Sequence, residues 1–236
     1  MQGINLIQLV VVIAIPLLFA ITLHEAAHGW MAKRLGDSTA QRLGRITLNP
    51  IKHIDPIGTV LIPLLLILSS FIFGGPLFLF GWAKPVPVTV ENLRKPRRDM
   101  ALVALAGPGV NLLMAFIWGM LIYPGIFLLQ SLPWIAIPLV LMGVAGAFFN
   151  TILMALNMMP ILPLDGGRVL YSLLPRPLAR VYAGLERYGL FILIILLTTG
   201  LLGQILWPLV SLTIQLLPAS DVVSQLLPII LNPSRS

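Results

Sequence analysis

The sequence predicts an all-α polytopic membrane protein with about four spanning helices, a re-entrant segment and a short membrane-associated β-hairpin. Three observations carry that prediction. The 236 residues are 58% hydrophobic and 10% charged, with a mean hydropathy of +0.98, which sets the chain apart from soluble domains. Four apolar stretches, at residues 4–23, 101–129, 135–159 and 189–210, are each long enough at ~1.5 Å per residue to cross a ~30 Å hydrocarbon layer. The 15 basic residues outnumber the 8 acidic ones and gather in short connections between those stretches, as in cytoplasmic loops.

The composition also narrows the function. A formal charge of +7 could serve nucleic-acid binding, but cations confined to short loops between apolar runs fit anionic lipid headgroups, so no nucleic-acid partner is expected. The chain has no cysteine, so a thiolate metal site and a disulfide framework are both excluded, and any metal must be held by histidine and carboxylate. The first apolar stretch has no basic residue before it and is too long for a signal-peptide core, so it reads as a retained helix.

That helix ends in His24-Glu25-Ala26-Ala27-His28. Four residues apart on a helix, both imidazoles project from one face, one turn from each other, and form a metal pincer. Glu25 lies close enough to take a proton from an activated water without being a ligand. Ionisable groups at membrane depth cost roughly 2.5 kcal/mol or more each and are tolerated mainly where they pair, bind ions or line water, which makes function the default reading of all three.

Residues 36–50 come next, with a Gly36-Asp37 break and Ile46 and Leu48 alternating with Thr47 and Asn49, a pattern for a short strand or hairpin. Such an edge would suit pairing with an extended peptide; a surface loop satisfies the same pattern. Residues 49–58 are rich in turn formers and hold His53 and Asp55, which either join the site or are interfacial polar residues on a turn. Residues 57–80 are apolar but broken by Pro63 and by Gly74-Gly75-Pro76, with basic clusters on both sides. A single crossing would put one cluster on the wrong face, so a re-entrant or hairpin path is expected.

The stretch at 101–129 opens with Gly107-Pro108-Gly109-Val110-Asn111, and the uncharged link 130–134 marks the non-cytoplasmic side. Residues 135–159 return and end in Asn157, followed by Pro160, Pro163, Asp165, Gly166, Gly167 and Arg168. The prolines stop the helix and the glycines let the backbone turn sharply beside Asp165. Arg168, Arg176, Arg180 and Arg187 place residues 175–188 on the basic side, 189–210 reads as the last span, and 211–231 as a Pro-interrupted, weakly amphipathic tail at the opposite surface. The amino terminus then lies outside, with the pincer end of the first helix and Asp165 both inside.

A catalytic zinc site usually takes three protein ligands and keeps one position open. The third donor must come from His53 or the eight carboxylates. An Asp-Gly pair is ordinarily a turn, but Asp165 shares a membrane face with His28 and ends a helix able to pack against the pincer.

These residues together resemble the site-2 protease family of intramembrane zinc metalloproteases, on His24-Glu25-Ala26-Ala27-His28, on Gly107-Pro108 with Asn111, and on Asn157 through Leu164-Asp165-Gly166, in that order and over residues 4–174. The resemblance implies one zinc ion held by His24, His28 and Asp165, with Glu25 as general base. It further implies that Asn111 binds the substrate backbone. His53 and Asn157 are further candidates, to support the ligands from behind. Residues 36–50 and 81–90 look like the hairpin and re-entrant region that grip an extended substrate, and 49–58 with 81–88 are similar to a compact prokaryotic branch without a PDZ module. The implied organisation is one membrane-embedded metalloprotease domain over 1–236, with its core at 4–174 and a carboxy-terminal helix and tail at 186–236. Its expected setting is a prokaryotic cell membrane with the active site toward the cytoplasm, and its expected partners are the lipid bilayer and a transmembrane segment of a membrane-protein substrate.

Two rivals belong to other classes. A metal-binding membrane transporter would use His24, His28 and Asp165 as a transit site, but it would leave Glu25 without a task, and no inverted repeat is apparent. An inactive scaffold would be expected to have lost Glu25 or a ligand.

Overall fold

The structure is a computed structural model and describes residues 6–62, 64, 65, 68 and 83–231; most of the segment expected to be re-entrant lies outside them. Helix α1 (Leu6–Arg34) leads to a short α2 (Thr39–Arg42), a 3-10 turn (Pro50–His53) and a π-type turn (Pro56–Leu61). A non-helical strap at 83–89 and a 3-10 turn (Val90–Asn92) precede α3 (Pro96–Leu128) and α4 (Pro133–Asn157). Then come α5 (Asp165–Leu173), α6 (Arg176–Ala183), α7 (Glu186–Thr198), α8 (Leu201–Leu216) and α9 (Ser220–Leu231).

Among the described residues three helices, α1, α3 and α4, are long and apolar enough to span a membrane, and a fourth span results if α6 and α7, bent by 61°, count as one. This is a multi-pass membrane protein. Helix α4 is central, with 67% of its apolar window buried inside the protein against 33% for α1 and α3. Small residues let the helices meet: a side-chain carbon at Gly146 of α4 would stand 2.2 Å from Cγ of Trp118 on α3. Without water to drive helices together, such close backbone approach supplies the packing.

Among the described residues there is no strand, so the expected β-hairpin at 36–50 is corrected. The local cause is Asp37, whose carboxylate accepts the Thr39 amide at 2.9 Å and hydroxyl at 2.5 Å and starts a helical turn instead. Leu48 stays 64% exposed and finds no ladder, while Arg45 and His53 turn inward. A lone alternating stretch without a partner strand gains too little to form one.

The expected single span at 189–210 is also corrected. It breaks at Gly200, which adopts φ +75, a left-handed conformation that closes a helix readily only for glycine. The hydroxyls of Thr198 and Thr199 donate to the carbonyls of Ile194 and Ile195 at 2.9 and 2.7 Å. Beyond the break, α8 and α9 are not a surface tail. Val210, Ile214 and Leu217, then Val223, Leu227 and Ile230, repeat at helical spacing and are buried with Val12, Trp118, Ile122, Val140 and Val144.

Asp37 also ties the strap to the end of α1. Fully buried, it accepts the Thr89 amide at 2.7 Å and Asn92 Nδ2 at 3.0 Å besides Thr39. Burial pushes its carboxyl up, but the hydrogen bonds from Thr39, Asn92 and Thr89 outweigh that and bring it down from 3.8 to about 2. A carboxyl with a lower pKa folded than unfolded stabilises the fold above its unfolded value and loses that contribution as pH falls through its folded value. Purified wild type is therefore expected to lose thermal stability between pH 4 and about 2, and Asp37→Asn, less stable at neutral pH, to be flatter over that window. Parallel pH slopes for the two proteins in melting measurements would contradict this assignment.

Candidate metal centre

Helices α1 and α3 run antiparallel, and three successive turns meet. Ala20, His24 and His28 of α1 face Asn111, Gly107 and Val103 of α3. Asp165, at the first turn of α5, reaches the same point, its position set by Gly166 and Gly167. A side-chain carbon at either glycine would come within 2.3 or 2.5 Å of the backbone at 158–162, so the turn closes only with glycine. Carboxylate Oδ2 of Asp165 stands 3.2 Å from Nε2 of His24 and 3.3 Å from Nε2 of His28, and the two Nε2 atoms are 3.0 Å apart. Among the described residues this is the one group of three histidine or carboxylate side chains whose ligand atoms converge, and all three are buried.

The hydrogen bonds around the rings decide what converges. Nδ1–H of His24 donates to Asn111 Oδ1 at 2.5 Å, and Nδ1–H of His28 donates to the Val103 carbonyl at 2.8 Å. Each ring then presents the lone pair of Nε2 inward, toward a buried carboxylate oxygen that has no hydrogen-bond donor. Three buried acceptors at van der Waals distance repel unless a cation lies among them. Their spacing of 3.0–3.3 Å is close to the ~3.3 Å edge of a tetrahedron of nitrogen and oxygen ligands ~2.0–2.1 Å from zinc. The donor set fits a small divalent metal of that kind.

Gly107 keeps the space open. A side-chain carbon there would lie 2.5 Å from Nε2 of His28 and 2.6 Å from Cε1 of His24. Alanine is the better helix former by ~1 kcal/mol, yet Gly107→Ala is expected to weaken metal binding at least ~10-fold because the rings it meets are the ligands themselves. Chelator competition with circular dichroism as a fold control checks this; unchanged affinity would mean that the rings are free to move aside.

Glu25 is part-buried, on another side of α1 from the ligand pair. Its Oε2 accepts the backbone N–H of Val86 at 2.7 Å. The strap that carries Val86 is pinned on both sides of this bond. Arg45 donates to the carbonyls of Lys84 at 2.7 Å and Pro85 at 3.3 Å, Lys84 N donates to the His53 carbonyl at 2.9 Å, and Asp37 accepts Thr89 N. The carboxylate is thereby held by main chain.

The structure brings His24, His28, Asp165 and Asn111 together and leaves Glu25, adjacent to His24 on the helix, outside the cluster and bonded to the Val86 N–H. The amide of Asn111 is fully buried and committed to His24, to the Ala20 carbonyl at 3.3 Å and to Asn150 at 3.0 Å, so its bonds run to the protein itself. Asn157 turns its amide back to the Leu153 carbonyl of its own helix at 2.9 Å. His53 is buried and bonds the Thr47 carbonyl at 3.1 Å, on the side where the strap is tied. Sequence reasoning missed Asn150 and the Val86 amide, and it named Gly107 as part of a motif without reading the room it leaves for the two rings. Asn150 carried one legible signal, an amide in the middle of an apolar span.

No family profile and no solved structure matches the chain. It is 36% identical over 207 residues to the Bacillus subtilis (strain 168) protein named "Putative zinc metalloprotease YwhC", covering 84% of this chain and 85% of that one. It is 29% identical over 193 residues to a Mycolicibacterium smegmatis protein named "Putative zinc metalloprotease Rip2", covering 82% and 69%, and 31% identical over 183 residues to the Rip2 of Mycobacterium tuberculosis H37Rv, covering 76% and 63%. Together with the buried His-His-Asp cluster at the end of an apolar helix, these relatives establish that the chain belongs to the site-2 protease family of zinc metalloproteases.

Proposed function

We propose that this protein is an intramembrane zinc metalloendopeptidase that hydrolyses a peptide bond within or near a transmembrane segment of a membrane-protein substrate. The observation that carries the reading is the convergence of His24 Nε2, His28 Nε2 and Asp165 Oδ2 at the end of a spanning helix with Glu25 one residue from the pincer. His24, His28 and Asp165 would hold the zinc. When bound, the metal polarises the scissile carbonyl and lowers the pKa of water toward ~7.

Glu25 then takes the proton from the attacking water as the new C–O bond forms, and returns it to the amide nitrogen as the C–N bond breaks. Val86 N–H fixes the carboxylate while it does so. The Nδ1–H bonds keep both imidazoles in the ligating tautomer, and Asn111 serves the site by orienting His24; contact with a substrate carbonyl would require one of its present bonds to open.

A spanning substrate helix hides its carbonyls in its own hydrogen bonds, so it must unwind locally before attack. The strap at 83–89, whose Val86 N–H reaches Glu25, and the loop at 36–50, whose Arg45 and Asp37 bond the strap, can offer replacement backbone bonds. The chain acts as one membrane-embedded domain, since α8 and α9 share a core with α1, α3 and α4. Arg34 at the end of the pincer helix, Lys95, Arg97 and Arg98 at the start of α3, and Arg168 and Arg176 after Asp165 argue for a cytoplasmic site.

The test is cleavage of a detergent-solubilised single-span substrate by the purified protein, with product ends mapped by mass spectrometry. Scission within or beside the apolar segment, lost on chelation and restored by zinc, supports the reading. Absence of cleavage combined with zinc flux into proteoliposomes would make the three ligands a transit site instead.

A further inference from the structure

The ligating tautomer of His24 depends on which end of the Asn111 amide faces it, and an amide is nearly symmetric in shape. With Oδ1 toward the ring, Nδ1 carries the proton and Nε2 is free to bind metal. With Nδ2 toward the ring, the proton moves to Nε2 and that nitrogen can no longer ligate. Something must choose between the two.

We propose that Asn150 is a positioning residue for the metal centre: with the Gly146 carbonyl it sets the polarity of an amide relay that keeps the proton of His24 on Nδ1. The inference rests on the metalloprotease reading of the site. The relay starts at a group that can only accept. Nδ2 of Asn150 donates to the Gly146 carbonyl at 2.8 Å, which leaves Oδ1 of Asn150 as an acceptor. That oxygen takes a hydrogen bond from Asn111 Nδ2 at 3.0 Å, and the Ala20 carbonyl takes a second at 3.3 Å, so Oδ1 of Asn111 must face His24, where it accepts Nδ1–H at 2.5 Å.

Asn111 and Asn150 are both fully buried and His24 is 8% exposed, so water does not compete for any link. Reversing one amide would set N–H against N–H and C=O against C=O along the line. The three members come from three spans: α1 supplies the ligand, α3 the middle amide and α4 the anchor. The hydroxyl of Thr151, the next residue, donates to the Ala147 carbonyl of its own helix at 2.8 Å, so fastening α4 to itself needs no amide at 150.

The alternative is that the amide pair merely glues α3 to α4. Two readouts separate these, both independent of catalysis. The chain has three histidines, so selective 15N-histidine labelling of the metal-free protein resolves each ring, with His53→Gln removing one by subtraction. Wild type is expected to show His24 protonated on Nδ1, and Asn150→Ala to show a mixture of tautomers. Zinc affinity, by chelator competition in the full-length protein in detergent, is expected to fall ~10–100-fold in Asn150→Ala. Asn150→Gln, which keeps an amide able to donate to Gly146 and accept from Asn111, is expected to lose less affinity than Asn150→Ala.

If Asn150→Ala binds zinc like wild type with an unchanged nitrogen spectrum, the inference fails although the metal site stands. If Asn150→Ala does not fold, the wild-type spectrum still decides, since a proton on Nε2 of His24 overturns the relay. Absence of zinc binding by wild type itself would overturn the metalloprotease reading first.

Discussion

Glu25→Gln is expected to abolish cleavage while leaving one zinc bound. The substitution removes the group that accepts and returns a proton, a contribution typically of 10²–10⁴-fold or more in rate. It changes little else. Glutamine has the same shape, its Oε1 can still accept Val86 N–H as Glu25 Oε2 does at 2.7 Å, and the strap keeps its anchors at Arg45 and Asp37. Glu25 also stands outside the converging ligand set. The check is initial cleavage rate of a single-span substrate beside zinc content of the same preparation. Cleavage at more than a tenth of the wild-type rate would remove Glu25 from the role of base, and loss of zinc would make it a ligand.

Asp165→Ala is expected to lose zinc and, with it, all activity. Asp165 supplies one of three donors and the only anionic one, and a donor lost from the first coordination sphere costs more than the ~10–100-fold typical of residues behind it. The fold should survive. The tight packing of Gly166 and Gly167 against the backbone at 158–162, and the Arg97 guanidinium bonded to the carbonyls of Tyr171 and Leu174, hold α5 independently of the carboxylate. Melting with and without zinc gives a second reading, because a ligand that binds only the folded protein raises its stability with concentration. Wild type should show that rise and Asp165→Ala should not. Unchanged affinity in Asp165→Ala would transfer the third position to another carboxylate.

Much of the candidate site was legible because its chemistry is local. The His24 and His28 pair is a matter of helical pitch, and it follows an uncharged approach of twenty residues, long enough to span. Asp165 was reachable by a topological count, since an even number of crossings returns the chain to the same face. Asn111 was flagged as an amide in a span, but its role was not readable, because an amide's task is set by which partners surround it. The β-hairpin expected at 36–50 failed for a related reason. Alternation describes one strand, whereas a strand exists only with a neighbour, and here the side chains of Asp37 and Arg45 took the backbone groups that a neighbour would have bonded.

The sequence by itself determined the solvent, the approximate spans, the kinds of ligand available and the spacing of two of them, because composition and periodicity are properties of short windows. Only the tertiary structure decided that Gly107 leaves room for the rings, that Val86 holds Glu25, that Asn150 stands behind Asn111, and that the chain after Gly200 folds back into the core. The reason is distance along the chain. His24 meets Asn111 across 87 residues, Val86 meets Glu25 across 61 and Asn111 meets Asn150 across 39. Contacts of that span arise from how packed helices share a limited interior, which no local pattern encodes.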